Sequence, residues 1–584
     1  MTNLGKHPFL HIEELCELWY NNSIVNGNGA VNRKQLGKLS RKGRFFMTKT
    51  IIRRSIGFAL IAIEEFLIIY LTKFAWSFAS TGLYWFIFVT ALIGMGIFAI
   101  SYVHSGADKI ILRVFAILAG ASLVLIILFA IISGEMVNAK RYQTIAEIEE
   151  GNFSQDILDI NSEDFAVVDV ETAKRLGDRT IAGISNSTWY DVDEEYNLII
   201  YKGEQYRISP INYGGLFKYN KAKKTGIPGY VLVNAQTQEA TLVQLDTPIK
   251  YSPSAYFSNN LKRHLRGQYH SYIFGTSFFE IDEQGNPYWI TSVKTSTIGI
   301  WGGKVENNFV ITDACTGEST VYETGNLPDW VDHAYDLDYL MQITEYNLKY
   351  KNGFWNVKFG KTDVNKLSYD YKDDDFAGYN SSITTNGEVV FYTAITPANN
   401  AESIVGFITA NPRTGEIKRY SCTGAEESSA QNAAQSLVQN FGYVATFPTV
   451  VNVDGSPTYF MALKDNAGLI QRYALYNISN YTIVVESSTI QDAVKLYREK
   501  LGKNIEEVDK SEMLSVQSTI ENVYTAQIEG NTYFYFTLQG EEGMYMSSIE
   551  NSNRQVLLKT GDTVKIEYVS SDEDGVYLVT KIIF

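Results

Sequence analysis

The sequence predicts a membrane-anchored α+β protein: three transmembrane helices, then duplicated β-hairpin/helix units, then a small β-barrel at the C-terminus. Three observations predict it. Three long apolar runs follow one another between residues 55 and 133. Charge changes sign across them, from a net +7 over residues 1–54 to −21 over residues 136–584. Beyond Phe165, segments rich in Tyr, Val and Thr alternate with turn residues, the composition of strands.

The apolar runs are Ser55–Ala75, Gly82–Val103 and Ile110–Ser133. Each meets the roughly 20 apolar residues that a helix needs to cross a bilayer. The connectors Trp76–Thr81 and His104–Lys109 are too short to hold a domain. Residues 1–54 carry ten Lys/Arg against three Glu. Positive flanks stay in the cytoplasm, so the chain is expected as a multi-pass plasma-membrane protein with its N-terminus inside. Three crossings then place residues 134–584 outside; a two-span reading would discard one good apolar run. The three cysteines, Cys16, Cys315 and Cys422, make no disulfide framework, a usage suited to a bacterial surface.

Within the basic segment, His11–Ser23 places Ile12, Leu15, Leu18 and Trp19 on one helical face. An NGNG turn (Asn26–Gly29) and the basic run Arg33–Phe46 follow. The run reads as a topology signal, with a short membrane-surface or partner-binding helix and a polybasic strip as the alternative. Met47 is a second plausible start, which would make residues 1–46 dispensable. Glu64 and Glu65 lie near the middle of the first run. Intramembrane carboxylates are costly and usually face a partner or a polar cavity, so the pair is a candidate polar site. Gly94, Gly96 and Gly120 permit close helix packing.

Residues 134–164 are expected as a polar stalk, helical over Ala139–Gly151, and residues 165–503 as the repeated region. Four leading hairpins are predicted at Asn197–Ile211, Phe278–Val293, Ser381–Ile395 and Val450–Lys464. Four trailing hairpins are predicted at Pro228–Leu245, Asn307–Thr324, Ile404–Cys422 and Ile470–Ser487. A helix is expected after each pair, at Pro253–Gly267, Pro328–Gln342, Gly424–Phe441 and Thr489–Gly502. Ser252–Pro253 has the form of an N-cap with proline in the first turn. Thr237/Glu239, Thr316/Glu318 and Thr414/Glu416 recur at loose spacing, which fits duplicated units with insertions better than a regular solenoid.

These hairpins resemble those of PepSY domains, whose units run helix, strand, then a hairpin ending in an Asp-x-x-Thr-Gly-Glu turn. The matching pieces are Asp313–Glu318, Asn411–Glu416 and Asn234–Glu239. The third unit has Asn for Asp, the first also lacks the glycine, and the fourth, Asn477–Thr482, keeps only the asparagine. The wider pattern, through Tyr251–Arg266, Asn286–Ile290 and Leu327–Asp336, resembles a group of multi-span membrane proteins of Gram-positive bacteria. The resemblance implies a binding role, such as restraint of secreted enzymes or envelope regulation, and it supplies no catalytic residues.

Residues 504–584 read as five strands, Leu514–Ile528, Thr532–Leu538, Gly543–Ser548, Thr563–Val569 and Gly575–Phe584. A short helix or turn falls between the third and fourth, the order of an OB-fold. Residues 505–584 carry a net −9, which would repel phosphates, so nucleic acid is not an expected partner. Tyr533–Phe536 is expected to alternate between a buried and an open face.

No nucleophile elbow, Walker loop or His-Glu-x-x-His helix occurs, and neither a cofactor nor a metal is expected. The Asp370/Asp373/Asp374/Asp375 and Asp572/Glu573/Asp574 clusters lack the spacing of a calcium loop and read as solvated turns. His264, His270 and His333 read as surface or capping residues. Lys262, Arg263, His264 and Arg266 form a basic strip in an acidic region. The strip either pairs with a neighbouring acidic face or meets an anionic partner, lipid or wall polymer. The expected function is a non-enzymatic binding or assembly protein of the envelope, with the bilayer and a protein partner or second copy as contacts. A wall-active hydrolase with an unrecognised carboxylate pair is the alternative, and a membrane sensor stands third.

Overall fold

The computed structural model describes residues 33–101, 106–160, 166–368, 380–399, 403–502, 514–528, 531–548, 553–570 and 576–583. The amphipathic stretch before Arg33, the NGNG turn, Cys16 and both carboxylate clusters lie outside them. The chain forms two compact units, residues 1–74 with 80–128, and residues 75–79 with 129–584.

The first unit is helical. Helix α1 (Arg33–Thr72), α2 (Thr81–Ser101) and α3 (Gly106–Ser133) contain the apolar stretches Ile51–Thr72, Thr81–Ala99 and Lys109–Ser133, each long and apolar enough to cross a membrane. The basic run from Arg33 is continuous with the first of these in one helix. Gly94 is the glycine that permits close approach. A Cβ there would meet the Phe115 ring at 2.6 Å, whereas Gly96 and Gly120 face open space.

The second unit contains the predicted hairpins, joined in pairs into four antiparallel meanders. Sheet I is β2 (Asn197–Tyr201), β3 (Glu204–Tyr213), β4 (Ile227–Asn234) and β5 (Ala240–Ile249). Sheet II is β6 (Phe274–Ile281), β7 (Pro287–Ile298), β8 (Gly302–Asp313) and β9 (Ser319–Glu323). Sheet III is β10 (Asn380–Ile383), β11 (Val389–Pro397), β12 (Gly406–Ala410) and β13 (Ile417–Tyr420). Sheet IV is β14 (Thr449–Val453), β15 (Ser456–Lys464), β16 (Ile470–Asn477) and β17 (Val484–Ser487).

Central strands are buried on both faces. Val389–Thr396 of β11 and all of β12 are buried, because neighbouring sheets share cores. Their sequences are therefore continuously apolar rather than alternating. The segment expected as a stalk is built into this unit. Helix α4 (Glu135–Gln143) packs on Tyr346 and Tyr350, and β1 (Ile148–Glu150) pairs in parallel with β13.

Four of the helices tie to the sheet that follows them in the chain. Helix α5 (Val170–Asp178) lies on sheet I. Helix α6 (Leu261–Gln268) ties to sheet II, α7 (Leu337–Lys349) packs with sheet III, and α8 (Glu427–Leu437) packs on sheet IV. Helix α9 (Ile490–Lys500), capped by Thr489, also covers sheet IV.

Two helix expectations are corrected. Pro328–Asp336 is not helical, because its backbone N–H groups are drawn to neighbouring sheets; α7 starts only at Leu337. Ser252 caps a turn through Ser254 N–H, and α6 is capped instead by Asn260, whose side chain accepts from Arg263 N–H at 3.2 Å. The C-terminal strands β18 (Leu514–Ile528), β19 (Asn531–Leu538), β20 (Met544–Ser548), β21 (Thr563–Ser570) and β22 (Val576–Ile583) close a barrel in the order β18-β19-β20-β22-β21. Phe534 and Phe536 are buried while Tyr533 and Tyr535 are half-buried, the alternation expected.

Candidate functional site

The recurring turn is the first structural constant. Asn234, Asp313, Asn411 and Asn477 each accept, through Oδ1, the backbone N–H groups two and three residues on, at 2.7–3.1 Å. A short side-chain acceptor at that place holds the turn open as a knuckle. The next carbonyl then points outward. Ala235 O accepts from Val167 and Val168, Ala314 O from Lys250 and Tyr251, Pro412 O from Ala334 and Tyr335, and Ile478 O from Ala425. The motif is thus a latch, tying each sheet to the strap that leads into its own helix.

Glycine in the latch follows the strap. Tyr251 and Tyr335 lie over Gly317 (φ 80°) and Gly415 (φ 76°), where a Cβ would come within 2.5 Å and 2.9 Å of the rings. In the first unit the strap residue is Val168, and Gln238 takes the left-handed conformation (φ 64°) without glycine.

Buried ionisable groups gather under the straps. The strap before α7 sets Asp332 N–H and His333 N–H on the Glu280 carboxyl at 2.9 and 2.5 Å, and His333 Nδ1 on Glu280 Oε1 at 3.0 Å. Asp332 Oδ2 accepts from Ile200 N–H of sheet I at 2.6 Å. Arg413 of sheet III reaches Asp329 at 3.0 Å, so the one strap joins three sheets.

Burial raises the Glu280 pKa to about 8 and that of Asp332 to about 7, the Glu280 carboxylate also opposing ionisation of Asp332. Burial lowers His333 to about 4, and its Nε2 has no hydrogen-bond partner, between the rings of Phe278 and Phe391. His333 is therefore a neutral core residue rather than the surface residue of a helix. Glu427, at the start of α8, accepts from Ala394 N–H, Tyr392 and Ser368, and burial lifts it to about 7.

The first and fourth units also meet. Lys464 of β15 pairs with Asp169 and Glu171 at 2.9 and 2.6 Å, and Arg175 donates to Ala467 O. Beside them a polar cleft of about 270 Å³, mouth included, is lined by Asp169, Arg207, Asn380, Thr446 and Thr449. Arg207 spends its guanidinium on Val168 O and Tyr196 O.

No protein-family model matches the chain, and a search of curated proteins finds no match. The site is accordingly read from its own geometry.

The basic strip does not form one open anion-binding face. Arg266 donates to the carbonyls of Tyr269, His270 and Tyr272 at 2.6–3.0 Å and lies over the Phe274 ring. His264 bonds Gly317 O at 2.7 Å, and Arg263 N–H serves the Asn260 cap. The Lys262 residue is exposed as a whole, while partial burial of its amine, and then the charge of Arg266, lower its pKa. Three backbone carbonyls take hydrogen bonds from the Arg266 guanidinium.

Glu64 Oε1 accepts from Thr90 at 3.4 Å, and its Oε2 is buried with no partner; Glu65 is half-exposed. Cys315 and Cys422 are both free. Among the described residues no group of His, Cys, Asp and Glu is placed to hold a metal ion. The strap network was missed in the sequence because Glu280 and His333 are 53 residues apart; the signal was an acid inside an otherwise apolar strand.

Proposed function

We propose that the chain is a membrane-anchored extracytoplasmic binding and assembly protein of the bacterial cell envelope, working without catalysis of its own. One observation carries the reading. Among the described residues, the carboxyls and imidazole that burial shifts most, Glu280, Asp332, His333 and Glu427, are engaged in the joints between sheets, with Glu280 0% exposed. Strongly shifted groups in a substrate cleft would point to chemistry; in a sealed joint they fix the relative placement of modules.

The latch turns, each tying a helix to the sheet after it, support the PepSY-like reading of the four units. The strand order β18-β19-β20-β22-β21 supports the OB-like reading of the barrel. The orientation rests on the basic flank and the count of three apolar helices. In agreement with that count, the loop after the first helix bonds the large unit: Trp76 N–H donates to His270 O at 2.9 Å.

The test is crosslinking in intact cells, then capture through the N-terminus, comparing the full chain with one truncated before Asn504. A discrete envelope partner lost on truncation assigns the contact to the barrel; one kept assigns it to the repeated units or the helices. Capture of no partner sinks the proposal. The hydrolase reading has one observation in its favour, the raised carboxyls Glu280 and Asp332. It requires loss of wall-polymer cleavage in Glu280→Gln.

A further inference from the structure

The last turn of α3, from Phe129 to Ser133, belongs to the large unit and is bonded to it. Ser133 Oγ accepts the N–H groups of Ile300 and Trp301 at 3.0 and 3.1 Å, and Tyr142 donates to Ser133 O at 2.6 Å. One turn earlier, the Phe129 ring meets Trp301 edge-on at 5.5 Å. The β7–β8 tip is therefore held at the end of an apolar helix, at the depth where Trp side chains prefer to sit.

The same end of the unit carries a second aromatic group. Glu135, two residues beyond Ser133, bonds the Tyr350 hydroxyl and pairs with Lys349 at 3.7 Å. From Tyr350 the chain makes a short turn over Phe354–Gly360, whose Phe354 and Val357 pack on Ala139, Tyr142 and Ile298. Its other side is open. Trp355 is 59% exposed and Phe359 79% exposed, their rings stacked at 5.8 Å. Lys351, Lys358 and Lys361 neighbour them along the chain, all exposed, and residues 350–361 contain no acid in a chain of net charge −15.

We propose that Trp355 and Phe359 insert into the interfacial layer of the membrane that α3 enters, with the three lysines on anionic lipid headgroups, so that this turn ties the large unit to the bilayer surface. Stacked large aromatics in a lysine-bearing turn suit that layer, which offers acyl chain below and phosphate above. The roughly 5–8 Å that headgroups add on each side of the hydrocarbon is deep enough to hold two such rings. The proposal needs only that α3 enters a bilayer, and it stands whether or not the binding function does.

The test uses the full chain in lipid nanodiscs, one set with anionic and one with zwitterionic lipid. Phe359→Cys, in a background with Cys16, Cys315 and Cys422 changed to Ser, carries an environment-sensitive fluorophore. Tyr481→Cys on the β16–β17 turn, where Tyr481 is 76% exposed, is the comparison. The label at 359 is expected to be quenched by shallow spin-labelled lipid and to show iodide quenching about threefold weaker than at 481, as burial in the interface requires. The difference should be larger with anionic lipid.

Equal iodide quenching at the two positions overturns the proposal. So does shielding at 359 without lipid quenching, which would mean a second copy or another protein covers the turn. A second measurement leaves the cysteines intact. Trp355→Phe should lower the quenching of tryptophan emission by brominated lipid, and unchanged quenching counts against insertion.

Discussion

Asp313 and its three counterparts show how little sequence a latch needs. One short acceptor holds the turn, and the following carbonyl then receives the strap. Asp313→Ala should cost about 1 kcal/mol, as for loss of a helix-capping acceptor, read as a lower thermal midpoint in detergent. Gly317→Ala and Gly415→Ala add left-handed strain to a ring overlap and should cost about 2–3 kcal/mol each. Gln238→Gly, where no ring covers the turn, should be neutral or stabilising by up to about 1 kcal/mol.

The buried acids make a pH prediction at the same scale. Glu280 moves from 4.5 to about 8 and Asp332 from 3.8 to about 7, so the folded chain keeps protons that the unfolded chain releases. Their contribution is complete below the unfolded values and drains as pH rises through the folded ones. His333, lowered from 6.5 to about 4, acts oppositely: its contribution is present above 6.5 and lost as pH falls toward 4. Between pH 6.5 and 8, then, of these three only the two carboxyls act. Stability should fall by at most about 1.4 kcal/mol per pH unit for each, and Glu280→Gln should flatten the slope in denaturant titrations.

At the scale of elements, hairpins were easier to read than helices. A hairpin is specified by local turn residues between β-rich arms, and all eight lie where Gly, Asn and Asp place them. Helix starts depend on what else competes for the strap's N–H groups. Asp332 and His333 give theirs to Glu280, and Ala334 and Tyr335 give theirs to Pro412, which postpones α7 to Leu337. Asn260 is the corresponding start for α6. It accepts from Arg263 N–H and donates to Pro253 O and Ala255 O. Asn260→Ala should therefore destabilise by about 2 kcal/mol, above an ordinary cap, and should shorten helical content measured by circular dichroism.

For the whole molecule, the charge step and three apolar helices make a topology prediction. A membrane-impermeant maleimide applied to intact cells should label Cys introduced at Tyr481 and leave Cys16 unlabelled until the cells are opened. Labelling of both, or of neither, would sink the three-crossing arrangement. The contact of Lys464 with Asp169 and Glu171 brings first and fourth units together, so the units do not behave as an open row. Lys464→Ala leaves two carboxylates facing a vacated site and should lower the midpoint of the whole unit rather than of sheet IV alone.

Hydropathy and turn chemistry are local, and they sufficed for the three apolar helices, the eight hairpins and the barrel strands. The same locality explains what they could not show. Pairing of Glu280 with His333, of β1 with β13 and of Lys464 with Asp169 joins residues 53 to 295 positions apart. Periodicity carries no trace of such contacts. Assignment of α5 to α8 to the sheets after them, the sealing of the acids into joints, and the gathering of Trp301, Trp355 and Phe359 at the end of α3 come from packing alone. A buried charge, or an aromatic face left open, becomes legible only once the surfaces around it have closed.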